Sequence, residues 1–215
     1  MRHLERIQKP QILISKEVEW SQKFISSGNS RPASRTYNHP EIKETLGNIS
    51  YKKCFYSEYK FTHLTEAQID HAIEVTEDKN KAFEWDNLYL SHKDCNQGKI
   101  TNAYLPCNDC LDPFIDSDHV IEDSLDFEDE LMLGKNSKGL NTIRKFGLNK
   151  DIFIHLRAKE LQKYYRLLEA ILVSIQQNNN KTEMSELDKE SLRSFGNPDK
   201  PFSLMFKKSL LRLPL

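Results

Sequence analysis

The segment IDHAIEVTEDKNKAFEWDNLYLSHKDCNQGK, residues 69–99 of a 215-residue chain, decides the predicted fold. Apolar residues surround Asp70-His71 in a strand-like run over residues 69–75, and Leu88-Tyr89-Leu90 forms a second such run. The polar stretch between the two runs is too long for a tight hairpin turn and predicts an open loop. A helix can follow the second run, so we expect strand, loop, strand and helix in that order.

The polar side chains of this segment favour hydrolysis of a phosphodiester. Because Mg²⁺ prefers oxygen ligands and is usually held by one or two protein side chains, Asp70 and Asn96 are the candidate metal ligands. His71 is the candidate general base, since an ordinary pKa of about 6.5 leaves its imidazole mostly neutral at pH 7. Asn87 is expected to orient the loop through backbone hydrogen bonds. Lys99 is expected to be exposed on the helix and to contact phosphate.

The neighbouring positions of Asp70 and His71 raise a geometric question. Successive side chains of a strand point to opposite faces. The two residues can therefore act on one phosphate only if it lies between the metal and the base, or if the strand ends at that point.

Three motifs of the segment resemble those of the HNH endonuclease family, whose core is a ββα-metal finger. In the order and spacing typical of that family, they are Ile69-Asp70-His71, Trp85-Asp86-Asn87-Leu88 and Cys95-Asn96-Gln97-Gly98-Lys99. The resemblance implies that Asp70 and Asn96 bind the metal, that His71 is the general base and that Asn87 braces the loop.

The likeness extends to the Septu-type antiphage nucleases called PtuB, some of which are attached to retrons. The motifs that carry it are Met1-Arg2-His3-Leu4 with Pro10, Lys53-Cys54-Phe55-Tyr56-Ser57-Glu58 and Thr142-Ile143-Arg144-Lys145-Phe146-Gly147-Leu148-Asn149. This resemblance implies a bacterial defence effector that cuts nucleic acid under the control of a PtuA-like ATPase of the ABC/SMC type. For a retron-linked system, it also implies a reverse transcriptase and non-coding DNA or RNA as partners.

A structural zinc ion is a separate question. Members of the family often hold zinc with two Cys-x-x-Cys knuckles, whereas this chain has Cys54-x-x-Ser57 and His92-x-x-Cys95. Tetrahedral zinc takes four nitrogen or sulfur ligands, and serine is a poor substitute. Two alternatives stay open. Either Cys54, His92 and Cys95 hold zinc with a fourth ligand from His63 or the Cys107/Cys110 pair, or zinc is lost and the thiols are buried.

Charge and hydropathy limit where this protein could bind a polyanion and whether it could enter a membrane. Thirty-one Lys and Arg against thirty-two Asp and Glu give a formal charge of −1, so any site for a polyanion must be local. Arg35 is either a phosphate contact or a solvated loop arginine. The N-terminus lacks the apolar run of a signal peptide and no stretch reaches the roughly 20 apolar residues of a membrane span, so we expect a cytoplasmic protein without a membrane partner.

The chain divides into four predicted parts of an α+β fold, mostly helical around a small ββα core. Residues 1–50 are a helical region and residues 51–115 the HNH core. Residues 116–180 contain an acidic hairpin or loop and a long helix that ends at a hinge, Asn178 to Asn180. Residues 181–215, which include Lys207, Lys208 and Arg212, either dock a partner or pack as a tail.

Capping residues predict where four helices begin. Ser15 is expected to cap a helix in the N-terminal region, and Pro40 suits the first turn of a second helix. Ser91 or Asp94 can cap the helix of the quoted segment. Asn149 is expected to cap the long helix, which carries an apolar stripe.

The acidic stretch over residues 119–133 has two interpretations. It is either a solvated hairpin or loop, or a second metal site. The six acids are Glu122, Asp123, Asp126, Glu128, Asp129 and Glu130.

A non-enzymatic alternative is a scaffold module in a nucleic-acid-binding defence complex. A scaffold does not require a carboxylate, an imidazole and an amide at the positions of Asp70, His71 and Asn96. Loss of nucleic acid that EDTA prevents would separate the enzyme from the module.

Overall fold

The computed structural model describes residues 1–177 and 183–211, which contain nine α-helices and two separate two-stranded antiparallel sheets. The elements in chain order are α1 (Gln11–Ser26), α2 (Ser34–Tyr37), α3 (Pro40–Ile49), β1 (Gln68–His71), β2 (Leu88–Ser91), α4 (Lys93–Thr101), α5 (Asp118–Ser124), β3 (Leu125–Glu128), β4 (Leu131–Gly134), α6 (Ser137–Phe146), α7 (Asp151–Gln177), α8 (Glu186–Arg193) and α9 (Ser203–Leu210). The predicted α+β fold, mostly helical around a small ββα unit, is confirmed.

The ββα unit consists of β1, β2 and α4. The two strands pair antiparallel, with Asp70 opposite Tyr89 and His71 opposite Leu88. All four residues of β2 are buried, as are three of the four in β1. The predicted order of strand, loop, strand and helix is confirmed.

Two details of this unit differ from the prediction. The first strand ends at His71 rather than continuing to residue 75, because the Asn87 side chain binds both the N–H and the carbonyl of Ile73. The helix cap is His92 rather than Ser91 or Asp94, since its Nδ1 accepts from the Asp94 N–H at 3.2 Å. Asp70 and His71, the candidate metal ligand and the candidate base, are therefore the last two residues of the strand.

The N-terminal helices show how proline sets a helix start. α1 begins after Pro10, whose carbonyl accepts hydrogen bonds from the N–H groups of Leu13 and Ile14. The predicted cap, Ser15, is wrong. It lies inside the helix with its hydroxyl bonded to the Ile12 carbonyl. α3 begins at Pro40 as predicted.

Glu58 joins three distant parts of the chain in a buried cluster. Its Oε2 lies 3.2 Å from the Met1 amino group, and its Oε1 lies 3.0 Å from Lys53 Nζ. The Ser203 hydroxyl donates to Oε1 at 2.6 Å and the Leu204 N–H to Oε2 at 3.1 Å. Burial alone would raise the pKa of Glu58, but the two cations and Ser203 lower it well below its usual range. We call these five residues the Glu58 cluster.

The described part of the C-terminal region packs on the rest of the protein. Leu204, Met205 and Phe206 of α9 are buried, and both Lys207 and Lys208 bind Glu122, through its carboxylate and its carbonyl respectively. This favours the packed alternative over a free docking segment for α9. The predicted hinge at Asn178 to Asn180 and the predicted tail residue Arg212 lie outside the described residues.

The acidic stretch forms α5 and the β3–β4 hairpin. The hairpin interpretation is correct for residues 125–134, but the residues before it are helical. Glu122 pairs with Lys207, and Asp123 Oδ2 lies 3.1 Å from His119 Nδ1. Over residues 1–177 and 183–211, no three His, Cys, Asp or Glu side chains are arranged to hold an ion.

The predicted cap of α7 has a different role. Asn149 binds the N–H and carbonyl of Met132 at 3.0 and 2.8 Å, and accepts from the guanidinium of Arg157 at 3.0 Å. Arg157 is fully buried and also donates to the Leu148 carbonyl. These bonds fasten β4 to α7.

Within the described ranges, no helix combines the length and the apolar character that crossing a bilayer would require.

Replacing Glu58 with glutamine is expected to lower the free energy of unfolding by about 3–5 kcal/mol, because two buried cations lose their carboxylate. Since the pKa of Glu58 is lowered in the folded state, its stabilisation is fully present above the ordinary value of 4.5 and is lost as the pH falls through the folded pKa. Urea denaturation of both proteins across the acid range measures the difference. The exposed Glu44→Gln serves as control and should change stability by less than about 0.5 kcal/mol. A Glu58→Gln effect as small as that of the control would contradict this account.

Candidate active site

The end of β1, the start of α4 and the loop before α2 enclose a cavity of about 100 Å³. Asp70, His71 and Asn96 all line it. Its other polar or aromatic lining residues are Arg31, Tyr37, Glu74 and Thr76. The cavity therefore brings the carboxylate and imidazole of the first sequence motif and the amide of the third to one place.

His71 presents one specific nitrogen as a base. Its Nε2 lies 2.9 Å from the Ala82 carbonyl oxygen, which can only accept, so Nε2 carries the proton and Nδ1 does not. Burial lowers the pKa of His71 below its ordinary value of 6.5. The Tyr37 ring packs on the imidazole, with the ring centroids 5.2 Å apart. At neutral pH, His71 is therefore a neutral, oriented proton acceptor.

Asp70 is a buried carboxylate with two donors. The Tyr56 hydroxyl donates to Oδ2 at 2.7 Å, and Lys99 Nζ lies 3.1 and 3.3 Å from Oδ1 and Oδ2. Burial and the Asp70 charge raise the pKa of Tyr56 well above its usual value, so the phenol keeps its proton. A carboxylate offers about four acceptor positions, so these donors leave room for a cation at Asp70.

Lys99 does not lie where the sequence analysis placed it. It is 1% exposed, and its ammonium donates to Asp70, to the His71 carbonyl and to Glu74 Oε1 at 3.0 Å. Burial would lower the pKa of Lys99, but Asp70 and Glu74 raise it, so the group stays charged. The predicted exposure of Lys99 is wrong, because the apolar strands draw this face of α4 against β1.

Asn96 has one hydrogen bond that orients its amide. Its Nδ2 donates to Gln68 Oε1 at 2.9 Å. This assignment leaves the carbonyl oxygen Oδ1 as the free acceptor. With the Asp70 carboxylate, Oδ1 makes an all-oxygen donor set, which suits a hard divalent cation that needs only one or two protein ligands.

Asn87 is committed to the backbone of the loop between the strands. Its Oδ1 accepts from the Ile73 N–H at 2.6 Å, and its Nδ2 donates to the carbonyls of Ile73 and Lys81 at 3.0 and 2.9 Å. Lys81 precedes Ala82, whose carbonyl accepts the proton of His71. Asn87 therefore contacts the same loop that orients the imidazole.

The predicted zinc ligands are only partly brought together. Cys54 Sγ and Cys95 Sγ are buried and 3.9 Å apart, whereas His92 Nδ1 accepts from the Asp94 N–H and caps α4. Burial alone would raise the pKa of Cys54, but hydrogen bonds from Cys95, Ser57 and His92 lower it to about 6. The described residues contain no group of three His, Cys, Asp or Glu ligands that could hold a metal. The structure thus favours buried thiols over a zinc site of Cys54, His92 and Cys95.

The arginine that lines the active-site cavity was not among the residues predicted from the sequence. Arg31 lines the active-site cavity, whereas Arg35 lines a different cavity beside Trp20 and Phe83. Glu74, which pairs with Lys99, was also missed. The sequence carries no signal for either residue, because their position depends on how the N-terminal helices pack on the ββα unit.

Comparison with known families matches residues 54–101 to a family model described as HNH endonuclease. The matched range contains β1, β2 and α4 together with Asp70, His71 and Asn96. No curated protein matches the chain. The family match, the ββα unit and the cavity residues Asp70, His71 and Asn96 coincide, so residues 54–101 are similar to an HNH endonuclease domain.

Proposed function

We propose that this protein is a metal-dependent endonuclease that hydrolyses phosphodiester bonds of DNA or RNA. The observation that carries the proposal is the shared cavity, in which the unprotonated Nδ1 of His71 accompanies the oxygen donors of Asp70 and Asn96. The HNH domain supports a nuclease of this class.

His71 acts as the general base. Its Nδ1 takes a proton from a water molecule, whose oxygen attacks phosphorus while the bond from phosphorus to the leaving sugar oxygen breaks. The imidazolium that forms keeps its Nε2–H bond to the Ala82 carbonyl, which prevents the ring from rotating during the transfer. The neighbouring carboxylate of Asp70 favours the positive charge.

Asp70 and Asn96 would hold the divalent cation, which we take to be Mg²⁺. When bound, such an ion stabilises the charge that develops on the phosphate and on the leaving oxygen. Lys99 neutralises Asp70 from the protein side and joins β1 to α4, so it positions this ligand rather than binding the substrate.

Asn87 is a positioning residue. By holding Ile73 and Lys81, it fixes the loop whose Ala82 carbonyl sets the tautomer of His71. Its effect on the reaction is exerted through the orientation of the base.

The finer proposal concerns control of the nuclease. On the resemblance of its motifs to the Septu-type nucleases, we propose that the protein is a cytoplasmic antiphage effector regulated by a PtuA-like ATPase. In a retron-linked system, a reverse transcriptase and non-coding DNA or RNA would join the complex. A formal charge of −1 supports a partner, because binding to nucleic acid depends on neutralising phosphates.

Purified protein is expected to degrade plasmid DNA or total RNA with Mg²⁺, and EDTA should prevent the loss. His71→Ala should slow cleavage by about 10²–10⁴-fold, since general base catalysis contributes that much. Gel analysis, with and without the partner ATPase, measures the rates. His119→Ala, whose side chain is 85% exposed, is the matched control and should cleave normally. Unchanged cleavage by His71→Ala would refute the assignment of the base.

The cleavage rate is expected to rise with pH as His71 loses its proton, because only the neutral imidazole accepts one. Since burial lowers the pKa of His71, the inflection should lie below the ordinary value of 6.5. Rates at saturating Mg²⁺ across the acid to neutral range test this. An inflection above 6.5 would contradict the buried, neutral base.

Expression together with the neighbouring genes tests the finer proposal. We expect an ATPase to copurify with the chain, and phage infection to trigger cleavage whose ends can be sequenced from the cells. Full nuclease activity in cells that lack the ATPase would count against control by that partner.

A further inference from the structure

A larger cavity of about 380 Å³ adjoins the active-site cavity. The two share Arg31, Glu74, Thr76 and Ile100 in their walls, so they form one continuous depression. Lys145 of α6 lines only the larger one. Lys145 therefore lines a space that adjoins the cavity of His71.

Lys145 is a buried cation with little compensation. It is 4% exposed, and its Nζ donates to the Asn102 carbonyl at 3.1 Å. Within residues 1–177 and 183–211, no carboxylate forms an ion pair with it, in contrast to Lys99, which has two. Burying an ammonium group without an opposite charge is costly, which is the condition expected where a ligand supplies the anion.

Gly98 explains why Lys145 lies so close to the site. A Cβ at Gly98 would be 2.8 Å from the carbonyl carbon of Phe146 and 2.9 Å from its oxygen, so only glycine lets α6 approach α4 this closely. The approach brings Lys145 near Lys99. The Cys107 thiol in the same cavity reports this, because burial raises its pKa and the charges of both lysines counteract that rise.

Two cations in the wall of the larger cavity, Arg31 and Lys145, form no ion pair within residues 1–177 and 183–211. The third cation, Lys99, is paired with both Asp70 and Glu74, and the remaining carboxylate, Glu77, is exposed at the rim. Arg31 is also exposed and reaches both cavities. Arg31 and Lys145 therefore face the same space from two sides.

We propose that this cavity binds a phosphate of the nucleic-acid strand beside the scissile one, with Lys145 and Arg31 as its ligands. The proposal rests on the proposed nuclease function. It identifies a substrate contact outside the matched HNH range, on a helix that the domain does not contain.

The test is binding of a labelled single-stranded DNA oligonucleotide in EDTA, where cleavage is blocked, as a function of salt. Lys145→Gln can keep the hydrogen bond to Asn102 but loses the charge. It should bind roughly tenfold more weakly, as expected for one charged hydrogen bond, and its logarithmic salt slope should be smaller by about 0.7. Lys145→Arg should restore most of the affinity and the slope.

Arg144→Gln is the matched control, because it removes the same charge from the adjacent, exposed position of α6. It should change the affinity less than about twofold, since surface charges are screened. Thermal melting of each variant verifies that it is folded. Equal weakening by Arg144→Gln and Lys145→Gln would mean a general charge effect and would overturn the proposal, as would absent binding by the wild type.

Two further outcomes separate this site from the nuclease proposal. Wild-type protein that cleaves with Mg²⁺ while Lys145→Gln binds normally would refute the phosphate site alone. Wild-type protein that never cleaves, although Lys145→Gln binds more weakly, would refute the nuclease alone. The last measurement is the binding of inorganic phosphate to the wild type and to Lys145→Gln. If Lys145→Gln weakens its binding but not that of the oligonucleotide, the site takes free phosphate and the strand proposal is wrong.

Discussion

The buried ion pair between Lys99 and Asp70 is the constraint on which the site depends. It joins the last turn of α4 to the end of β1 and places a fixed positive charge behind the carboxylate. Tyr56 donates to the same carboxylate from the knuckle that precedes β1. These two donors satisfy the buried carboxylate and fix its orientation toward the active-site cavity.

Prediction from the sequence succeeded best for site residues that lie in short motifs and for the strands and helix that carry those motifs. Asp70, His71 and Asn96 lie in short motifs whose residue types have few other uses together, and all three line one cavity. The strands and α4 were predicted because alternation of apolar residues and the helix that follows are local signals. The exact end of β1 was not, because it depends on the Asn87 side chain, sixteen residues away from His71.

The errors share a physical cause. Lys99 was expected to be exposed because lysine usually is, but its environment is set by the packing of α4 on β1 and by Glu74. Arg31 and Lys145 lie outside residues 69–99, which hold the three HNH-like motifs, and they line the larger cavity because of how the surrounding helices pack. Ser15 and Asn149 are good capping residues by type, yet proline at the start of α1 and the bonds of Asn149 to Met132 decide otherwise.

The Glu58 cluster joins the matched range to parts of the chain that lie far outside it. Glu58 lies inside the matched range, whereas Met1, Ser203 and Leu204 lie at the two ends of the described chain. A fragment trimmed to residues 54–101 would keep this buried carboxylate and lose every partner it has in the cluster. The matched segment therefore shares a buried charge cluster with both ends of the described chain, and a version truncated to residues 54–101 would leave the Glu58 carboxylate without these partners.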